Sequence, residues 1–400
     1  MRQVTSILCA ILALVFRASG STYVVEPDGS GDFPTVQAAL GAAVDGDTIE
    51  LGEGTFSGYG NRDIDFLGKA VTVRSASGGA SACIIDCAAS ESDQHRGFIF
   101  QTGEGAGSVV EGVTIANGWV DTYGAGIFCD ETASPTISHC TLYRNASAFG
   151  GGMCGGAASM ITGCSFVENA AVRGGGLARV AHADLTGCVF VGNSGTYGGA
   201  IYLRSGCSPN LTRCVFDHNT ASHSGGAIHI ELHSNPTLSH CTLAGNSAPI
   251  GGAVDVSIEC SPVFENCTLL GNSCGYTGVI ACYELCALTF ENCIIGFSKQ
   301  GQAVSCADSE ATLTCCDVYG NPDGDWAGYI ADQYGTSGNI CEDPLFCGDE
   351  NPDAPYGLHD ASPCAPAQNP SCGLIGAWGV ACGATPIERA GWGAIKAMYR

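Results

Sequence analysis

Gly187-Cys188-Val189-Phe190-Val191-Gly192-Asn193, followed by Gly198-Gly199-Ala200-Ile201, is answered by Arg213-Cys214-Val215-Phe216-Asp217-His218-Asn219 and Gly225-Gly226-Ala227-Ile228. The pair of motifs recurs along the chain. Cys140, Cys164, Cys188, Cys214, Cys241 and Cys267 open it at steps of 24, 24, 26, 27 and 26 residues, and Asn145, Asn169, Asn193, Asn219, Asn246 and Asn272 close it. Degenerate copies run from Gly112 to Asn117 upstream and start at Asn292-Cys293 downstream. A unit of about 25 residues with short alternating strands cannot close on itself and must stack on its neighbours. There is neither a Leu ladder nor a helical period, so the spacing predicts an all-β, right-handed parallel β-helix. In it each repeat is one coil and like residues stack at roughly 4.8 Å. Cys and the following Phe or Leu become inward columns, and Asn falls at a bend where it tolerates αL geometry and bonds to its like. Gly-Gly marks a corner with φ > 0 or close coil-to-coil approach. Coils over 49–346 number roughly twelve, a rod of about 55 Å.

Composition agrees. Of 400 residues 58 are Gly and 25 Cys; 45% are hydrophobic and only 14% charged, with three Lys to decorate helices. That suits neither a helical nor a disordered chain. The net charge of −24 repels phosphate backbones and anionic headgroups, so nucleic acid is not an expected partner. Met1-Arg2, an apolar run from Ile7 to Phe16 and small residues behind it read as a signal peptide over 1–20. No later segment is long and apolar enough for a membrane helix. The expected destination is an oxidising, extracellular space, as a secreted or cell-surface chain.

The alternation of Phe216-Asp217-His218-Asn219 with Gly225-Gly226-Ala227-Ile228, repeated from about Gly112 to Asn272, resembles the polymorphic outer-membrane protein repeats of secreted bacterial β-helices. The resemblance implies an exported bacterial solenoid associated with adhesion, although the terminal barrel common in that family has no counterpart here. Upstream, 21–48 reads as an N-terminal cap: a strand, an Asp28-Gly29 turn and a short helix (Val36, Ala39, Leu40, Ala43) capped by Thr35 or Asp32. Val24 to Phe56 resembles the opening of pectin methylesterases and other pectate-lyase-like β-helices. Their catalytic Gly-x-x-Asp-Phe and Arg-Pro-Trp segments are missing, as are the signature elements of pectate lyases and polygalacturonases. Ile64-Asp65-Phe66 is the nearest fragment.

The Cys140-to-Cys293 column reads as buried packing thiols, because stacked Cβ vectors run parallel rather than converge. Zinc lacks suitable ligand pairs. Disulfides are expected off the column: Cys83 with Cys87, Cys341 with Cys347, and pairs among Cys364, Cys372 and Cys382. These staple a C-terminal cap over 347–383, whose apolar residues should plug the last coil. The segment 384–400, Trp392 and Lys396 within it, reads as a tail with a sorting or anchoring role. Asn145, Asn210 and Asn266 match the glycosylation sequon, which matters only in a eukaryotic host.

Positions after the Gly-Gly corner alternate in and out. One outward column reads Ala178, Tyr202, His229, Asp255, and the next Val180, Arg204, Glu231, Ser257. Tyr202, Arg204, His229, Glu231 and Asp255 would form one patch, suited to glycan binding through an aromatic platform and polar pairs, or to acid–base work. The bland alternative is a solvated sheet face. No catalytic residue is assigned. No cofactor is expected; calcium could sit at Asp45/Asp47, Asp63/Asp65 or Asp343/Asp349/Glu350 without a specific motif. The expectation is a monomeric rod for adhesion or glycan binding, with a polysaccharide or a cell surface as partner and a polysaccharide lyase or hydrolase as the rival.

Overall fold

The computed structural model describes residues 20–348 and 351–383. The segment expected to be a signal peptide (but for Gly20), the expected tail 384–400, and Asp349 and Glu350 lie outside the described residues.

Short strands stack in parallel as a three-sided solenoid. Among the described residues twelve strands form the first sheet and eleven the second, while the third has fifteen because five of its coils contribute a strand on each side of the Gly corner. Limbs before the corner (Ala146–Phe149, Ala170–Arg173, Ser194–Tyr197, Thr220–Ser224) pair with one another, as do limbs after it (Ile201–Arg204, Ile228–Glu231, Val254–Ser257). The long strand Ser273–Tyr283 joins the two sets. A parallel bridge from Asp317 to Ile340 carries the stack slightly past the roughly twelve coils expected.

The repeat owes its shape to paired devices at two turns of each coil. A residue in αL conformation is followed by one that points inward. At the first turn His139, Arg213 and His240 (φ 52°, 53°, 54°) precede Cys140, Cys214 and Cys241. At the second Arg144, Glu168 and His218 (φ 54°, 52°, 54°) precede Asn145, Asn169 and Asn219. The expectation that Asn itself takes αL geometry is thus corrected by one residue. Freed from the turn, each Asn is buried and serves the coil beside it. Asn193 Oδ1 accepts from Asn169 N and Nδ2, both at 3.0 Å, while Asn193 Nδ2 donates to Phe166 O at 2.8 Å and Asn219 Oδ1 at 2.9 Å. Each thiol of the Cys column does likewise: Cys188 to Ile161 O at 3.3 Å, Cys241 to Leu211 O at 3.3 Å. Burial pushes the thiols of Cys164, Cys214 and Cys241 far above their ordinary value, which suits a packing role. Phe166, Phe190 and Phe216 stack at 4.6 and 4.9 Å between centroids with planes within 8°. At the third corner Gly198 has φ +68°, and a Cβ on Gly199 would stand 2.2 Å from Gly226 O. Both reasons given for the Gly pair therefore operate, one on each glycine.

The helix Val36–Ala42 covers the first coil with Val36, Ala39 and Leu40 inward and Thr35 Oγ1 accepting from Ala38 N at 3.2 Å. At the far end Ile330 and Trp326 close the core. The apolar residues expected to plug that end run along the rod's flank instead. Leu358 and Ile375 pack on Leu270 and Ile294 of the second sheet, and Trp378 Nε1 donates to Thr242 Oγ1 at 2.7 Å.

Among the described residues there are three disulfides, two of them stapling this strap: Cys315–Cys372 and Cys347–Cys382. The expected partners were wrong. Cys83 and Cys87 stay reduced, since four residues of extended chain hold them about 13 Å apart. Cys341 is also free, its thiol against Asp325 Oδ2 at 3.6 Å, and Cys364 donates to Asp317 Oδ2 at 3.2 Å. The third bridge, Cys282–Cys306, joins in-register neighbours with Cα atoms 4.6 Å apart, so stacking does not forbid a bond.

Two predictions follow from this packing. Asn193→Ala strands the Asn169 amides and Phe166 O in the core and should cost about 3 kcal/mol in urea unfolding; a loss no larger than that of an exposed Asn→Ala would refute the ladder's role. Asp317 is wholly buried, and desolvation raises its carboxyl to about 7 from 3.8. The folded state then keeps a proton that the unfolded state releases, so stability should fall as pH rises from about 4 to 7. Asp317→Asn should flatten that decline, giving a variant that gains on the parent at pH 8 relative to pH 5.

Candidate functional site

The concave side of the Gly corner runs the length of the third sheet and is walled by two columns. The residue before the first Gly supplies one: Tyr123, Phe149, Arg173, Tyr197, Ser224, Ile250. The outward residue of the strand after it supplies the other: Phe128, Cys154, Ala178, Tyr202, His229, Asp255. Where the second column shrinks to Cys154 and Ala178, a cleft of about 750 Å³ opens, lined by Tyr123, Phe128, Phe149, Tyr202, Arg179 and Arg204 among others.

Arginines gather here although the chain is strongly acidic. The Arg173 guanidinium lies over Phe149, Tyr197 and Tyr202 at 5.0, 5.7 and 5.8 Å from the ring centroids. Arg179 lies over Tyr123 at 5.4 Å and Arg96 over Phe128 at 5.5 Å. Stacking on aromatic faces holds each cation; Arg96 spends Nε on Tyr123 O at 3.0 Å and Nη2 on Thr122 Oγ1 at 2.8 Å, whereas Arg173 keeps its N–H groups for an anion. Arg179 also meets Glu131 at 3.3 Å, and Arg204 meets Glu231 Oε1 at 3.2 Å.

Register brings all five expected residues together. Tyr202 pairs with His229, His229 with Asp255 and Arg204 with Glu231. The outward column is not solvated, however, so the alternative of a solvated face does not hold for it: Tyr202, His229 and Asp255 are 1%, 4% and 0% exposed, because Arg173, Tyr197 and the limb before the corner cover them. Val180 is corrected too. The chain turns at Arg179 (φ 59°), which sends Val180 into the core and leaves Arg179 facing the cleft.

His229 stands at the centre. Its Nδ1 is 2.9 Å from both Asp255 Oδ2 and Ser224 Oγ, and its Nε2 is 3.5 Å from Glu231 Oε2, too long for a hydrogen bond. Tyr202 donates to Glu231, and Tyr283 donates to Asp255 at 2.9 and 3.0 Å. Burial alone would push the imidazole down, but the two carboxylates outweigh it and hold His229 above its ordinary value of 6.5. The nearby His229 ring, helped by Tyr202 and Arg204, draws Glu231 down to about 2. Burial and the Glu231 contact push the Tyr202 phenol up to about 12. The cluster therefore sets His229 and Arg204 against the side chains of Glu231 and Asp255. Ser224 shares a nitrogen with Asp255 instead of the opposite one, so it is not activated as a triad nucleophile.

The acidic pairs considered for calcium are occupied by backbone amides: Asp47 takes Ser21 N and Val44 N, Asp45 takes Ala70 N, and Asp63 takes Arg96 N. Among the described residues no group of three or more His, Cys, Asp or Glu is arranged to hold a metal. Sequence reasoning missed Tyr123, Phe149 and Arg173, although the signal was there: each directly precedes the first Gly of its repeat.

The family described as the right handed beta helix region matches residues 176–340. No curated protein matches the chain. Among solved structures it is similar to the crystal structure of the pectate lyase Pel9A, at 16% identity and a TM-score of 0.53, over 91% of this chain and 97% of that one. It is also similar to AlyGC, an alginate lyase of the PL6 family, at 12% identity and a TM-score of 0.46, over 92% of this chain and 58% of that one. At these identities the likeness is one of fold: an all-β, right-handed parallel β-helix of pectate-lyase-like type.

Proposed function

We propose that the protein is a secreted or cell-surface glycan-binding rod, without catalysis, that takes an extended, carboxylate-bearing polysaccharide in the third-sheet groove. The observation that carries this reading is the set of arginines at one cleft of a chain of net charge −24: Arg179 and Arg204 in its lining, and Arg173 stacked on Phe149 and Tyr202 of its wall. Aromatic faces take the apolar side of a sugar ring and guanidinium forks take its carboxylate. The three disulfides suit a chain folded in an oxidising space. Among the described residues no helix is long and apolar enough to cross a membrane.

The buried His229 between two carboxylates favours a second reading, a polysaccharide lyase or hydrolase. Its charge states speak against it. Glu231 has no proton to give, Tyr202 has no tendency to ionise, and His229, with Nδ1 held by Asp255 Oδ2 at 2.9 Å, is buried away from a substrate.

Affinity electrophoresis in polygalacturonate, alginate and neutral glucan gels tests the proposal. Retardation should occur in an acidic gel and weaken with salt. Arg173→Ala and Arg179→Ala should each weaken it about tenfold, and Ala157→Trp, at a half-buried position lining the cleft, should abolish it with the circular dichroism unchanged. Retardation equal in all gels, or indifferent to these changes, would sink the reading.

A second prediction concerns His229. Its ring signals should titrate above 6.5, and because the folded value is raised, its contribution to stability is complete below 6.5 and lost as pH climbs through that value. His229→Gln should therefore destabilise the protein at pH 6 more than at pH 9. Unsaturated or reducing ends released by the parent but not by His229→Gln, with binding intact, would establish the enzyme reading instead.

A further inference from the structure

The groove does not end at His229. Beyond Asp255 the column that faces the corner shrinks again, to Ala281 and then Ser305 in register. As at Cys154 and Ala178, small residues open space, here a second recess of about 340 Å³. Between the two recesses, Tyr202, His229 and Asp255 fill the corner. The separation from Ala178 to Ala281 is four strand steps, roughly 19 Å.

The linings differ in chemistry. The first recess carries Arg179 and Arg204 beside Asp130 and Glu131, with Arg179 meeting Glu131 at 3.3 Å, so it offers cations as well as carboxylates. The second is lined by Thr277, Gln300, Gln302, Ser305, Asp323 and Tyr276, with no Lys or Arg. Amides and hydroxyls both donate and accept, which matches the vicinal hydroxyls of a sugar. The Asp323 side chain stands there, with Oδ2 taking one hydrogen bond from Gly301 N at 2.7 Å, an acceptor that an anionic sugar could not satisfy. Tyr276 rises at the rim 84% exposed, an aromatic face that no packing contact requires. Stacking of a sugar ring accounts for such a residue at the edge of a polar recess.

We infer that the recess at Thr277, Gln302 and Ser305 is a second glycan subsite, selective for an uncharged sugar, and that the ligand is a heteropolysaccharide with acidic and neutral residues. This rests on the glycan-binding reading of the first recess. It adds that the groove reads two chemistries at a fixed separation, one held by cations and one by neutral donors and acceptors.

Amide hydrogen exchange of the full chain tests it, with gellan, which sets a uronate among neutral sugars, and polygalacturonate, which is acidic throughout. Gellan should protect both 274–278 and 300–305 along with 123–131 and 149–157, whereas polygalacturonate should protect only the latter pair. The double variant Gln300→Ala/Gln302→Ala should lose gellan protection at 274–278 and keep it at 149–157. Protection confined to the first recess with both polymers would overturn the second subsite and leave the groove reading standing. Equal protection of both recesses by polygalacturonate would overturn its selectivity for neutral sugars. Protection at neither recess with either polymer would overturn the groove reading, and this inference with it.

Discussion

Every coil lies one strand spacing from the next, so a residue that fits once must be met by one that fits again. Inside the rod this produces two polar ladders in an apolar core. Cys thiols give their hydrogens to carbonyls of the preceding coil, and Asn amides bind above and below. Both depend on the αL residue that precedes them and aims the side chain inward. An L residue in that conformation costs about 1 kcal/mol or more, yet His218, Arg144 and Glu168 accept it. Satisfying buried backbone groups on two coils at once offsets that cost.

The groove follows from where the repeat is broken. A perfect repeat would leave a uniform trough at the Gly corner. Here bulky residues alternate in blocks with small ones along the column from Phe128 to Ser305, giving a cleft, a filled stretch and a recess in turn. The filled stretch is also where charge is most tightly balanced. His229 between Asp255 and Glu231 makes a rigid, internally paired cluster, and a rigid wall fixes the distance between the spaces on either side.

Fold and register could be read from the sequence because a stacked repeat is periodic by necessity. The Cys, Asn and Gly-Gly spacings determined which side chains meet, and Tyr202 beside His229 beside Asp255 followed from counting. Burial could not be counted in the same way. Whether the outward column meets solvent depends on how sharply the chain bends at Gly198 and Gly225, and that bend folds Tyr197 and Arg173 over it. Disulfide partners were equally out of reach. Cys315 and Cys372 meet because a Pro-rich terminal segment doubles back along the flank, and no local spacing encodes that path.

That flank-bound strap also decides how the molecule would carry a mechanical load. Tension applied beyond Cys382 would not draw out the strap's 35-residue span back to Cys347, because the bond between them closes that length as a loop. The Cys315–Cys372 bond, closing 57 residues, leads the remaining force directly into the coil that follows Cys293. The hydrogen bonds of Trp378 and Leu374 to the second sheet could peel without lengthening the covalent path. A molecule pulled from this end would yield first by letting its strap lift. The stacked coils, and the groove they carry on another face, would feel the strain last.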